Sequence, residues 1–475
     1  MQRSNYFFGI IILIQVLLLW YFKEAPFFWD TVQLASKQAH FFFENGFGTF
    51  ILPPFIDSGH PPGFGALLAI AWMLFGKSLL ISHVLLWPFV LANLTLAYQL
   101  GKLYLEDSFR AVFFPLLLLI DPVLAGQSIL VSPDILVVFG FLLTWYGIKK
   151  ENLILQTIGV VFLGAFSMRG MMVGAAMYVY AVFAQWEQKV TIGLAFKKIL
   201  PFLPGGLIGL SFLIYHYKMT GWIGYHTDSP WAGSFEGQDF SRIPRNGVIL
   251  MWRLMDYGRF FLLFFLTGLI TWFVIKHKPG KLAFRSDLLT LLISLSFFLL
   301  PSFLLYQSLT GHRYILPLLI VLSLAFLVYL EVFNFKKFLI VAGLATLVLC
   351  SGNWWVYPST IAQGWDATLG HTPYYRLRAE AIDYLNNEKI SPNEVGTVFP
   401  AIGPFEWYDL NSKSEGFQAF DPDSSKYVFY SNIMNDFPDE TIVKFKEEWV
   451  ELKHLSSPTV EVYIFKKPEI WNGEN

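Results

Sequence analysis

Five short polar segments interrupt long apolar runs in this 475-residue chain, and each carries a residue type that does chemistry. Asp30 stands in Phe27-Phe28-Trp29-Asp30-Thr31, just past the first apolar run. A carboxylate among aromatic, membrane-level residues costs desolvation energy unless it has a partner or a task. It either caps the helix that follows or acts as an acid or base. His60 precedes Pro61-Pro62-Gly63, where two prolines stiffen the backbone and aim the ring or simply make a turn. Asp134, in Ser132-Pro133-Asp134, either caps the next helix or is a second carboxylate at a depth similar to Asp30. Asp121, in Ile120-Asp121-Pro122, competes for that role. Arg169, in Met168-Arg169-Gly170, and Arg313, in Gly311-His312-Arg313-Tyr314, each stand at the mouth of an apolar run. An arginine there either snorkels to lipid headgroups or grips an anion through charge-assisted hydrogen bonds, with His312 beside it. The set is two or three acids and two arginines.

The elements that must position these residues are membrane helices. The chain is 55% hydrophobic and only 15% charged, against about a quarter charged in soluble domains. Its apolar residues gather in blocks of roughly 15–24, enough to cross a hydrocarbon core. The reading is an α-helical polytopic membrane protein with about eleven transmembrane helices. They lie near 6–22, 78–101, 109–127, 134–148, 152–167, 171–185, 199–217, 258–275, 287–308, 313–332 and 337–352. Lys23-Glu24 follows the first run without a small-residue cleavage site, so that run reads as an uncleaved span. With the N-terminus inside, the short basic turns Lys102–Arg110, Lys149-Lys150, Gln188–Lys198, Lys276–Arg285 and Lys336-Lys337 all fall on the cytoplasmic side. All five polar segments then face outward. Keeping that orientation requires Pro62–Gly76 to be an interfacial helix rather than a span, with Pro62 in its first turn. A second interfacial helix is expected over 32–43, where Val32, Ala35, Ala39, Phe42 and Phe43 recur at helical spacing.

The domain reading is a transmembrane domain over 1–352, with outward loops 23–77 and 218–257, and an extracytoplasmic domain over 353–475. Trp222, Trp231 and Trp252 in the second loop are candidate interface anchors. Past 352 charges become frequent and long apolar runs stop, which predicts a small soluble α/β domain. Its expected helices are Arg376–Asn387 and Asp439–Trp449, and its expected strands Tyr427–Tyr430 and Val460–Lys466. A single cysteine, Cys350, excludes an internal disulfide. The net charge of −1 gives no reason to expect a nucleic-acid partner. His216, His226 and Asp228 are either a metal set or ordinary loop polar residues, and the second is the reading adopted: no metal and no cofactor.

The order of these segments resembles the membrane glycosyltransferases of the C-type fold, a superfamily that includes protein mannosyltransferases and the bacterial enzymes that add aminoarabinose to lipid A. The likeness covers about residues 5–350. In that family an acid follows the first span, as Asp30 does. A basic-Pro motif precedes an interfacial helix, as His60-Pro61-Pro62 does. An Asp-containing turn opens the fourth span, a Lys-Gly turn falls two spans later, and an Arg-Tyr pair followed by Pro opens a late span. Ser132-Pro133-Asp134, Arg169-Gly170 and Arg313-Tyr314 with Pro317 match these. Two positions depart: Asp30-Thr31 replaces the frequent Asp-Glu, and His60 replaces Lys or Arg.

The resemblance implies a multi-pass protein of the bacterial inner membrane with its C-terminal domain outside. It would transfer a sugar, hexosyl or pentosyl, from a polyprenyl-phosphate donor to a protein, lipid or glycan acceptor, with inversion at the anomeric carbon. It implies Asp30 as general base and Asp134 as the second catalytic-site acid, which would position acceptor or sugar or share the acid role. Arg169 and Arg313 would bind the lipid phosphate, and His60, His312 and Tyr314 would assist binding. The competing classes are a multispan transporter or flippase, a polysaccharide polymerase and a non-catalytic scaffold. Transporters commonly show repeated halves and helices broken at mid-membrane, whereas the polar residues here gather at span ends and no repeat is visible.

Overall fold

The computed structural model describes residues 2–468 apart from 184–190, 225, 229–231, 236–238, 277–285, 333–336 and 359. Most of the basic turn 276–285, Lys336, the start of the turn 188–198 and Trp231 lie outside the described residues. Each expected span contains helix, and the helices start and stop for local reasons. The Ser78 side chain accepts the N–H of Ile81, and that of Asn152 accepts the N–H of Leu155. Both satisfy a donor that the first turn of a helix leaves without an intrahelical partner.

Among the described residues, length and composition qualify five helices to cross a membrane: Gln2–Tyr21, Leu79–Tyr104, Ala195–Thr220, Asp287–Leu305 and His312–Val332. Among the described residues two helix pairs meet the same test only when taken together, and both are bent, which apolar run length does not reveal. Arg110–Ile120 meets Pro122–Ile129 at 62°, and Phe240–Met255 meets Arg259–Trp272 at 95°. The first bend falls at Asp121-Pro122, where proline disfavours a helical residue before it. Asp121 leaves the helix and caps the next one, accepting the N–H groups of Val123 and Leu124 at 3.0 and 3.2 Å. Shorter helices, among them Asp134–Lys149, Leu153–Phe166, Met168–Phe183 and Phe338–Ser351, pack alongside. The rim of the bundle exposes Ile154, Leu207, Phe297 and Leu347. Large apolar side chains left exposed on so many helices are matched to lipid rather than water. The chain is a multi-pass membrane protein.

Small residues bring some helices into backbone contact, a common device in membrane bundles. Gly205 packs on Val160 so closely that a Cβ there would lie 2.1 Å from the Val160 carbonyl oxygen. Gly205→Val is therefore expected to push Leu203–Thr220 off its neighbour and cost about 1–3 kcal/mol. The fall is readable as a lower unfolding temperature in detergent, and an unchanged temperature would refute the tight crossing.

Helices are present where the sequence led us to expect them, over 32–43 and after Pro62. Val32–Ser36 is a π-helical turn running into Lys37–Asn45, and Gly63–Phe75 packs against the latter. Residues beyond 353 form a mixed six-stranded sheet. Its strands are β1 (Val395–Thr397), β2 (Gly403–Pro404), β3 (Gly416–Ala419), β4 (Tyr427–Ser431), β5 (Val450–Ser456) and β6 (Glu461–Lys466), in the order β2-β3-β1-β4-β6-β5. β1 runs parallel to β3 and β4, and the other pairings are antiparallel. Val428–Ser431 and Val462–Phe465 are buried continuously, as strands covered on both faces are. Helix Pro373–Asn387 packs on β5 and β6. This region shares its core with the bundle: Phe28, Trp29 and Leu130 pack with Trp365, Tyr374 and Phe429, while Tyr408 and Leu410 join the core around helices Lys37–Asn45 and Gly63–Phe75. The shared cores fix the C-terminal sheet over the loop that carries Asp30.

Candidate active site

Asp30 sits in a turn that is held from several sides. The Thr31 hydroxyl donates to the Phe28 carbonyl at 2.7 Å and accepts the Phe28 N–H at 3.0 Å. Trp29 adopts φ +57°, a conformation uncommon for a bulky residue and costly unless its surroundings impose it. They do: Trp29 packs edge-on against Phe399 at 5.0 Å, and Phe28 stacks on His371 at 4.5 Å. Thr31 carries no side-chain cap for the π-turn, and the Asp30 carboxylate reaches instead to Arg313.

Arg313 is the hub. Its Nη2 donates to Asp30 and, at 3.4 Å, to the Tyr314 hydroxyl. Its Nη1 lies 3.4 Å from Asp366 and 3.7 Å from Asp134. Asp134 does not cap its helix as one sequence reading had it. The Ser132 hydroxyl accepts the Asp134 N–H at 3.2 Å, which leaves the carboxylate free to pair with Arg169 Nη1 at 2.8 Å. The Arg169 guanidinium lies 4.2 Å from the Tyr314 ring centre, a cation–π contact on a face already shielded from water. Both arginines read as possible headgroup anchors thus turn inward to carboxylates.

His60 completes this side. Its Nδ1 accepts the Met168 N–H at 3.2 Å, so its other nitrogen carries the hydrogen when the ring is neutral. Burial, helped by nearby Arg169, pushes the imidazole down to about 4, and it is neutral at physiological pH. The loop that delivers it is fastened by Asp57. One Asp57 oxygen accepts the Gly59 N–H at 2.8 Å and the other meets His216 Nε2 at 2.8 Å.

These residues line one cavity of about 310 Å³. Asp30, His60, Arg169, Arg313 and Tyr314 form its polar wall, and Leu34, Met172, Ile223, Leu299 and Leu309 its apolar wall. Asp134 stands just behind, with His60 and Arg169, around a small void. A second cavity, about 720 Å³, opens between the bundle and the C-terminal region. Asp30, Arg313 and Tyr314 line both cavities. His312 belongs to the second one, with Trp29, Trp252, Arg253, Gln363, Asp366 and Asn435. It meets Asp256 at 3.1 Å, and Asp256 also bonds the Tyr357 hydroxyl.

Other candidate residues are engaged elsewhere. Asp121 is bound by Arg259 through two bonds of 2.7 and 2.9 Å, both side chains buried. His216 serves Asp57, while His226 and Asp228 stand 3.8 Å apart nearer the surface. Among the described residues no group of three His, Cys, Asp or Glu is placed to hold a metal ion. Sequence reasoning missed Asp366. The available signal was an acid beside tryptophan, in Gly364-Trp365-Asp366, soon after the last apolar run.

No protein-family model matches the sequence, and a search of curated proteins finds no match. Solved structures do match. ArnT from Cupriavidus metallidurans bound to undecaprenyl phosphate aligns with a TM-score of 0.54 at 10% identity, over 96% of this chain and 97% of that one. The same protein in the apo state aligns with a TM-score of 0.52 at 10% identity, over 97% and 98%. The chain therefore shares the fold of these two structures along nearly its whole length, which agrees with the fold expected from the order of the polar segments.

Proposed function

We propose that this protein transfers a sugar from a polyprenyl-phosphate donor to an acceptor at the outer surface of the membrane. The observation that carries the reading is the pair of cavities meeting at Asp30, Arg313 and Tyr314. A transferase with two large substrates needs a base and a leaving-group binder at such a junction. The undecaprenyl phosphate held by the structural neighbour supports a lipid phosphate as one ligand. The smaller cavity, with two arginines above an apolar wall, suits a donor whose phosphate is charged and whose tail is hydrocarbon. The larger cavity beneath the C-terminal sheet, which Arg253, Gln363, Asp366 and Asn435 help to line, suits the acceptor.

In this scheme the acceptor hydroxyl attacks the anomeric carbon as its proton passes to the Asp30 carboxylate. The bond from that carbon to the phosphate oxygen breaks, and its electron pair leaves on the phosphate. Arg313 and Arg169 stabilise the growing charge, a role in which preorganised donors are worth several kcal/mol in dry sites. Neutral His60 donates one further hydrogen bond. Asp134 orients Arg169 from behind. A single displacement inverts the configuration.

The outward orientation is supported by helix Asp134–Lys149, which carries Asp134 at one end and Lys149 at the other. At 1.5 Å per residue the two ends are about 24 Å apart. Basic turns favour the cytoplasm, so the acid end and the C-terminal region face outward, as in a bacterial inner membrane.

The direct test is transfer from labelled polyprenyl-phosphate sugars by the purified chain in proteoliposomes. Label reaching an acceptor supports the reading, and no transfer from a broad donor panel by folded protein removes it. A finer expectation concerns pH. Because the His60 imidazole is held near 4, it stays neutral from about pH 5.5 to 8 and contributes no inflection there. His60→Gln is expected to lower the rate while leaving the shape of the pH profile unchanged. A wild-type inflection near pH 6.5 that disappears in the variant would contradict this.

A further inference from the structure

Asp366 lies beyond the last membrane helix, yet it contacts the reaction centre, and something holds it there. It is 5% exposed. Gln127 Nε2 donates to its carbonyl at 2.9 Å and to its carboxylate at 3.4 Å. The Gln127 side-chain oxygen accepts the Ser132 hydroxyl at 2.5 Å, and Ser132 in turn accepts the Asp134 N–H. One buried amide therefore ties Asp366 to the turn that presents Asp134. The approach depends on Gly126, where a Cβ would stand 2.9 Å from the Asp366 carbonyl oxygen.

The guanidinium between these acids has two edges with different partners. Nη2 faces Asp30, and Nη1 faces Asp366 at 3.4 Å. A planar fork can exchange partners at one edge while the other remains bound. Asp134 is already committed to Arg169 at 2.8 Å and stands farther from Arg313, at 3.7 Å. That leaves Asp366 as the nearer anchor for the Nη1 edge. We propose that Asp366 is a positioning residue for the lipid phosphate. It fixes the Nη1 edge of Arg313 so that the Nη2 edge trades Asp30 for a phosphate oxygen, and Asp30 is released to act as base. Phosphate binding and activation of the base are then one event, and the C-terminal region takes part in it. The inference rests on the transfer reading above.

The experiment measures binding of polyprenyl phosphate to the full-length protein in detergent, together with transfer kinetics. Asp366→Asn keeps the side chain's shape and removes its charge. It is expected to weaken polyprenyl phosphate binding and raise the donor KM by about tenfold or more, with the acceptor KM unchanged, and Asp366→Glu is expected to restore part of the loss. Gln127→Leu removes only the tether, and it carries the comparison if Asp366→Asn does not fold. Its effect is expected in the same direction and smaller, about threefold. A purely structural role would lower the yield of folded protein without separating donor KM from acceptor KM. Wild-type donor KM and binding in both variants, with Arg313→Lys impaired, would overturn the proposal and leave the transfer reading standing. A wild-type protein that neither binds polyprenyl phosphate nor transfers sugar would overturn both.

Discussion

Asp30→Asn is expected to reduce sugar transfer by about 10²–10⁴-fold, the range that a positioned general base supplies. The substitution preserves volume and a hydrogen-bonding oxygen, but an amide does not take up the acceptor proton. Folding is expected to survive. Arg313 keeps Asp366 at 3.4 Å and Asp134 at 3.7 Å, and the turn around residue 30 is fixed by Thr31, Phe399 and His371 rather than by the carboxylate. Polyprenyl phosphate binding is expected to hold or tighten, because the variant removes the anion that competes for Arg313. Lost turnover with retained lipid binding therefore separates a missing base from a collapsed site. Persistent transfer in Asp30→Asn would move the base to Asp134 or Asp366. It would not move to Asp121, whose carboxylate is fully occupied by Arg259 and by the start of helix Pro122–Ile129.

The residues of the candidate site were visible in the sequence because membrane chains expose their exceptions. Charged residues are costly in apolar surroundings, so Asp30, Asp134, Arg169 and Arg313 stood out from the apolar runs beside them. Their partners were harder to read. Asp30 and Arg313 are 283 residues apart, and His216 and Asp57 are 159 apart. Local periodicity carries no information about such pairings. Asp366 was hidden for a further reason: the charged C-terminal region supplies many acids, and only the fold decides which one faces the bundle.

The capping rules also misled at Asp134. Ser-Pro-Asp does open a helix, but Pro133 stands at the cap position, the Ser132 hydroxyl accepts the Asp134 N–H, and the aspartate becomes the first residue inside the helix. Run length located the apolar helices and missed their bends, because the break at Asp121-Pro122 alters direction without interrupting apolarity. Within the sheet, the expected strands at 427–430 and 460–466 are its long buried members, β4 and β6. β1, β2 and β3 have two to four residues each, too few for an alternation to register.

Arg313 is where stability and activity meet, and two substitutions are expected to separate them. Arg313→Ala leaves Asp30 and Asp366 facing each other's charge in a buried pocket, with Asp134 held only by Arg169. Removing one partner of a buried pair costs about 3–5 kcal/mol, because the remaining charge is stranded away from water. The variant is expected to unfold at a markedly lower temperature in detergent and to show no transfer. Arg313→Lys retains the charge on a shorter point donor. A single ammonium does not reach the Asp30 and Asp366 edges together as the fork does. Most of the stability is therefore expected to remain, while turnover falls by about 10²–10³-fold, the loss typical when a preorganised donor to a developing anion is removed. Near-normal stability with strongly reduced turnover in Arg313→Lys assigns the guanidinium geometry to the leaving phosphate. Equal losses of stability in both variants would make Arg313 a structural clamp between the bundle and the C-terminal sheet. Near-normal turnover in Arg313→Lys would show that positive charge alone is sufficient, and the two-edged exchange between Asp30 and a phosphate would no longer be needed.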